Sequence, residues 1–387
     1  MSKTVYIWGY YGVGNLGDDL MLLTIQQQFD QASQIFPVCY STPGYQINPR
    51  IKFQPNIVSN KKHTNKLLNF ILNLASVFQT MLKTKVLIFG GGTQYFESRK
   101  FDWLTFLIKY ISILIVKFIG GRVIQLSIGI GNIHSPFNIF LLKQIFLKSD
   151  LIFLRDKVSF DRIKKVLPNK PDIYLDKDIS YYYYHKLICQ NKLDKTKIGL
   201  NFIDYYNYLE KNPAKRKAFI EEAARLIDFI QESNMEVILF SLQKNRGGKD
   251  YEFNREIIKQ SQYQNNIHFV DYSSNVEEFI EQISSLNIAI GMRYHFNLLA
   301  LQNNIPSIGI NYQPKVRHEL HRYSLDNLSI EMNDFDFENV QLKVKYILDN
   351  IEELNQTLKS KNVLFANPKS SIWEQTLRLI DDELFSK

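Results

Sequence analysis

Short runs of β-prone apolar residues recur along this chain, and most end in glycine or a charged residue before a helical segment begins. They fall at 5–8, 86–89, 123–128, 151–154 and 173–175, then again at 198–202, 237–242, 267–270, 288–290 and 307–310. Apolar residues at helical spacing fill the intervals, as at 20–29, 214–233, 276–284 and 296–302. Short apolar strands alternating with helices specify βαβ units and a parallel sheet. The pattern breaks once, at 190–197, a polar and charged stretch that reads as a linker. The expected fold is therefore α/β, with two doubly wound Rossmann-like domains facing a cleft, at 1–189 and 195–366. An amphipathic tail at 367–387, which carries Trp373, is read as a C-terminal helix with the N-terminal domain as its candidate packing surface.

Composition supports a folded chain. Of 387 residues, 45% are apolar and 22% charged, which excludes wholesale disorder. Cys39 and Cys189 are the only cysteines, too few for a disulfide framework or a cysteine-rich zinc site. The first residues run into a Gly-rich loop without the apolar core of a signal peptide, so a cytoplasmic location is expected. The net charge of +8 suits an anionic small substrate, an anionic membrane surface or nucleic acid. No basic stripe or nucleic-acid module accompanies it, so nucleic acid is not expected. A homo-oligomer is compatible with the sequence, which does not fix the assembly.

The most apolar stretch, 101–119, contains Lys109 and Lys117. Two mid-segment lysines make a membrane span improbable. A buried helix is the simpler expectation. The alternative is a surface helix dipping into the lipid interface, with both lysines reaching anionic head groups. The stretch 61–72, basic at its start and apolar after, could join such a patch.

Two motifs carry the chemistry. The first, Gly9-Tyr10-Tyr11-Gly12-Val13-Gly14-Asn15-Leu16-Gly17-Asp18-Asp19, joins the first strand to the first helix. Its glycines allow close backbone approach, and the helix start offers N–H groups to an anion. Gly12, Asn15, Gly17 and Asp19 are candidate substrate contacts. Asp18 is the candidate base for a sugar hydroxyl, with helix capping the alternative for both aspartates. It lacks the acidic partner of a dinucleotide fingerprint. The second motif, Gly291-Met292-Arg293-Tyr294-His295, follows a strand. If it stays extended, Arg293 and His295 share a face and together suit an anion that needs a proton. A histidine satisfied in the core is the alternative.

Supporting positions cluster at other strand ends. Gly90-Gly91-Gly92 leaves an open floor, with Gly91 and Gly92 as substrate contacts, and Glu97 stands where an acceptor would lie. Arg155 closes a strand and could fork onto a carboxylate or phosphate, or pair with Asp156. Lys315 follows a later strand as a third cation or as a solvated lysine. No metal-ligand cluster is visible.

Taken in order, the loop 9–19, the Gly90-Gly91-Gly92 turn, Arg155-Asp156-x-x-Ser159, Gly291-x-Arg293-x-His295 and Tyr312-x-x-Lys315 resemble the polysaccharide pyruvyl transferase family across roughly residues 5 to 320. The resemblance implies a fold similar to the GT-B glycosyltransferase type. It implies transfer of the pyruvyl group of phosphoenolpyruvate to a sugar of a cell-surface polysaccharide or its lipid-linked precursor, with no cofactor beyond that donor. It implies that Arg155, Arg293 and His295 serve the donor. The stretch Thr93-Gln94-Tyr95-Phe96 departs from the acidic pattern common in relatives, which leaves the acceptor open. A lipid-linked acceptor would place the protein peripherally at the inner membrane face. The competing expectations are a nucleotide-sugar glycosyltransferase on the same scaffold and a non-catalytic anion-binding protein.

Overall fold

The computed structural model describes residues 4–28, 34–39, 54–55, 66–97, 101–183, 195–243, 250–273 and 275–365. The tail at 367–387, Cys189 and most of the linker lie outside them. The chain forms two compact units. Among the described residues the first holds 4–13 and 18–183. The second holds 195–365 together with Gly14–Gly17.

The first unit runs β1 (Thr4–Tyr11), α1 (Leu16–Gln28), β2 (Gln34–Cys39), β3 (Gln54–Pro55), α2 (Lys66–Met81), β4 (Val86–Gly90), β5 (Thr93–Tyr95), α3 (Asp102–Phe118), β6 (Arg122–Ile130), α4 (Pro136–Lys148), β7 (Leu151–Leu154), α5 (Lys157–Val166) and β8 (Ile173–Leu175). All its strand pairs are parallel, in the order β3-β2-β1-β4-β6-β7-β8, with β5 beside β6. The two-residue period of a strand divides the core in two. Tyr6, Trp8, Leu87 and Phe89 pack with residues of α2 to α5, while Val5, Ile7, Val86 and Ile88 pack with Met21, Leu22 and Ile25 of α1. Strand β6 changes phase midway. Val123 lies on the α2–α5 side and Ile124 and Leu126 on the other, yet Ile128 returns to the first side. The cause is a bulge at Ser127, whose φ is +51° and where the register with β7 shifts.

The second unit runs β9 (Lys197–Asn201), α6 (Tyr205–Tyr208), α7 (Pro213–Glu232), β10 (Glu236–Ser241), α8 (Asp250–Gln260), β11 (His268–Asp271), α9 (Val276–Ser284), β12 (Ile288–Gly291), α10 (Tyr294–Gln302), β13 (Ser307–Asn311), α11 (Pro314–Arg322), β14 (Ser329–Glu331), α12 (Phe337–Asp349) and α13 (Ile351–Phe365). Its sheet is also parallel, in the order β11-β10-β9-β12-β13-β14. That is the doubly wound order, in which the winding reverses between the first and fourth strands. The helices start where their capping residues dictate. Asn212, Asn275 and Asp336 each accept a bond from the amide three residues on, at the starts of α7, α9 and α12. Burial of Phe240 between Phe279 and Phe296, with ring centroids 5.4 and 5.2 Å away, ties β10 to α9 and α10. A buried phenylalanine of this kind contributes about 2 to 3 kcal/mol.

Two expectations are corrected. The stretch 101–119 is a helix, but one stripe of it is solvent-exposed at Phe101, Trp103, Leu114 and Phe118. Its lysines do not reach outward to head groups. Lys109 is 3% exposed and donates to the Gln94 carbonyl at 2.7 Å. Lys117 holds both oxygens of Asp150 at 2.8 and 2.9 Å. The segment 293–295 is not extended either, because α10 begins at Tyr294 and Arg293 is its N-cap residue. No helix among the described residues is long and apolar enough to cross a membrane.

Candidate active site

In open parallel sheets, ligands sit beyond the carboxyl ends of the strands where the winding reverses. In the first sheet this point lies between β1 and β4, and both Gly-rich motifs lead out of it. The Tyr11 hydroxyl donates to the Gly90 carbonyl at 2.7 Å and so clamps the two strand ends. The Gly12 amide donates to Asp19 Oδ1 at 3.0 Å. Asp19 is fully buried, so its carboxylate shapes the loop. Asp18 is half-buried, and its Oδ1 lies 3.8 Å from where a β-carbon on Gly92 would stand. Gly91 has a φ of +59°, and a β-carbon there would fall 2.5 Å from Met21 Sδ, so this turn needs glycine for both conformation and space.

The turn is braced from behind. Gln94 Nε2 donates to the Gly91 carbonyl at 2.8 Å, and Lys109 Nζ donates to both the Gln94 carbonyl and its Oε1. Lys109 also lies 4.5 Å from the Tyr95 ring centroid. Burial holds its pKa down to about 7. Arg155, 9% exposed, is occupied within the same unit. It donates to Thr93 Oγ1 at 2.7 Å and to Asp178 Oδ2 at 3.3 Å, and its Nε lies 3.6 Å from Asp156. Glu97 is likewise engaged, accepting from the His134 and Ser135 amides and from Asn138 Nδ2 at the start of α4. Burial works against its charge, yet these donors hold its carboxyl below the usual carboxylate range.

In the second sheet the winding reverses between β9 and β12, and the segment 291–295 leaves from that point. The backbone and side chain of Asn201, the last residue of β9, accept from the Met292 and Arg293 amides, each at 3.0 Å. Asn297 donates to the Gly291 and Arg293 carbonyls and accepts from Ser307. The loop is thus fixed from β9 and from α10, whose Asn297 is itself held by Ser307 of β13. The Arg293 guanidinium donates twice to fully buried Asp250, at 2.6 and 3.0 Å. Burial pushes the Asp250 carboxyl up, against the pull of Arg293.

His295 occupies the first turn of α10 and its ring lies against Gly17. The segment Gly14–Gly17 belongs to this unit through the Leu16 amide, which donates to the Leu242 carbonyl at 3.1 Å, and through a bridge from Asn15 to Gln243. The Asn15 side chain accepts from the Gly17 amide at 2.9 Å. Lys315 is exposed in the first turn of α11.

The structure thus gathers Asn15, Gly17, Arg293 and His295 in the second unit, with Lys315 on the next helix. It gathers Gly12, Asp18, Asp19, Gly91 and Gly92 in the first. Arg155 and Glu97 serve local partners. Sequence reasoning missed Asn201, Asp250 and Asn297, single polar residues among ordinary helix and strand positions. Among the described residues no three His, Cys, Asp or Glu side chains gather as a metal site.

The family model for polysaccharide pyruvyl transferase matches residues 15–314. No curated protein sequence matches the chain. Among solved structures, S. aureus MnaA with UDP is 10% identical with a TM-score of 0.60, covering 100% of this chain and 97% of that one. Anabaena Alr3699/HepE in complex with UDP-glucose is 10% identical with a TM-score of 0.60, covering 99% and 100%. The UDP-GlcNAc 2-epimerase from Neisseria meningitidis, bound to UDP-GlcNAc, is 9% identical with a TM-score of 0.58, covering 97% and 100%. At such identities the likeness establishes the fold, two parallel-sheet domains of the GT-B type. With that fold and a family match over most of its length, the chain belongs to the polysaccharide pyruvyl transferase family.

Proposed function

We propose that the protein transfers the pyruvyl group of phosphoenolpyruvate to two hydroxyls of a glycan sugar, forming a ketal and releasing phosphate. The observation that carries this reading is the placement of Arg293 and His295 at the start of α10, where the second sheet reverses its winding. A helix N-terminus with an adjoining guanidinium favours a carboxylate or phosphate. Phosphoenolpyruvate carries both.

The chemistry balances without a metal or cofactor. Protonation of the donor's methylene carbon makes C2 electrophilic, and one sugar hydroxyl adds there and gives up its proton. Phosphate then leaves C2, and the second hydroxyl adds in its place and releases its own proton. One hydroxyl proton replaces the proton given to the methylene, and the other is carried off with phosphate. In this reading His295 supplies the first proton, acting as a general acid beside the bound donor. Arg293, oriented by Asp250, holds the anion, and Lys315 adds charge. Asp18 receives a hydroxyl proton. Asn15 and Gly17 bring the backbone of the first loop to His295, Gly12 and Asp19 shape that same loop, and Gly91 and Gly92 form the turn after β4.

The test is incubation of the full chain with phosphoenolpyruvate and lipid-linked oligosaccharide from its native cells. Phosphate release together with a new ketal methyl resonance supports the reading. Their absence with wild type, or their persistence at full rate in His295→Ala and Arg293→Ala, overturns it. A second reading, transfer from a nucleotide sugar, draws support from the fold relatives that hold UDP or UDP-sugars. It predicts tight nucleoside diphosphate binding instead.

A further inference from the structure

Helices α2, α3 and α4 cover one face of the first sheet, and α3 packs against both of the others. Their outward sides are apolar. On α2 Val77 and Met81 pack inward, yet the first two turns are apolar on the outside as well: Leu67, Leu68, Ile71 and Leu72 are 42–66% exposed. On α3, Phe118 is 88% exposed. On α4, Phe137 and Phe140 are about half exposed, one helical turn apart. Trp103 of α3 and Phe137 of α4 have ring centroids 6.4 Å apart, which joins the two helices' apolar stripes. An outward run of large apolar and aromatic side chains over three adjacent helices marks an interaction surface.

Charge selects the partner. Residues 61–150 contain twelve Lys and Arg against three acidic residues, whereas the rest of the chain holds 35 against 36. The whole positive excess of the protein therefore lies in the segment that carries this face. Within it Lys109 is buried, Lys117 and Arg122 are taken up by Asp150, and Glu97 caps α4. Lys143 and Lys148 are exposed on α4 among the aromatic residues. We infer that the α2–α3–α4 face docks onto an anionic lipid bilayer surface, with aromatic and aliphatic side chains entering the interface and lysines meeting the head groups. Interfacial segments bind by this combination of buried apolar area and attraction to anionic lipid. The inference stands on the first unit alone and is independent of the chemistry proposed above.

The test is co-sedimentation of the full chain with vesicles of phosphatidylglycerol and phosphatidylcholine, compared with phosphatidylcholine alone. Binding should require the anionic lipid and weaken at high salt. Ile71→Ser/Phe118→Ser/Phe140→Ser should lose at least tenfold in binding while keeping the wild-type circular dichroism spectrum and melting temperature. Trp103 fluorescence should be quenched by brominated lipid, judged by the difference from Trp103→Phe. If the triple variant is unstable, Lys143→Glu/Lys148→Glu serves the same purpose with the apolar face intact. Failure to bind anionic vesicles would overturn the inference. So would equal binding by the variants, or a dimer that the triple substitution dissociates without any lipid binding by wild type.

Discussion

The imidazole of His295 lies against the backbone of Gly17, so closely that a β-carbon at Gly17 would fall 2.0 Å from Nδ1. No real β-carbon contact is that short, so any side chain at 17 must displace the ring. Gly17→Ala is therefore expected to lower kcat roughly tenfold or more, a loss of about 1.4 kcal/mol in transition-state stabilisation. The melting temperature should change little, because the ring can swing aside. Steady-state kinetics beside a thermal melt checks this, and an unchanged kcat would remove His295 from the reaction.

Asp250 is the buried anchor of Arg293. Asp250→Asn keeps its size and removes the charge, leaving the guanidinium without its counter-ion. The expected outcome is a loss of about 3 kcal/mol in stability of the second unit. A raised KM for phosphoenolpyruvate should accompany it, because Arg293 is no longer held. Arg293→Lys should raise KM as well, since an ammonium cannot reproduce the two-pronged contact.

Lys109 gives a pH signature. Its folded pKa is about 7, against 10.4 or so in the unfolded chain. Between these values the unfolded state binds one more proton than the folded state, so stability rises with pH across that window. Below pH 7 both states are protonated, and the cost of burying the charge is present in full. Lys109→Met should abolish this slope, which for wild type amounts to a gain on the order of 4 kcal/mol from pH 7 to 10. Measurements should stop near pH 10. Above it, buried Tyr95 and Tyr323, whose pKa values are raised, stay protonated only in the folded state and reverse the trend. Denaturant melts of both proteins from pH 6 to 10 test the sign.

Arg155 separates a local structural role from a donor-binding one. Its contacts with Thr93 and Asp178 link the start of β5 to the segment after β8. Arg155→Lys should cost about 1 to 3 kcal/mol of stability, because one buried partner is left unsatisfied. The KM for phosphoenolpyruvate should move less than twofold. A large rise in KM with unchanged stability would instead place the guanidinium on the donor.

Much of this architecture is legible in the sequence, for identifiable reasons. Strands such as Leu151–Leu154 and Ile288–Gly291 are buried on both faces and read as unbroken apolar runs. By contrast β5 is three residues long and β2 contains Pro37, so neither gives such a run. The bulge at Ser127 leaves no local mark because a serine adopts the positive φ there. At the site, Arg293 and His295 stand out because they follow a glycine at a strand end. Asp250 does not, because its partner lies 43 residues away and only the fold brings them together. The same holds for the direction of Lys109. Helical periodicity gives the stripe a residue occupies, but the acceptor that draws this lysine inward is the backbone of Gln94.

The most direct measurement is calorimetric titration of the purified chain with phosphoenolpyruvate, with UDP and UDP-N-acetylglucosamine in parallel, repeated on Arg293→Ala. Saturable binding of phosphoenolpyruvate that is lost in the variant, with weak or no binding of the nucleotides, is the predicted result. Tight binding of the nucleotides with none of phosphoenolpyruvate would contradict the account and favour a nucleotide-sugar enzyme.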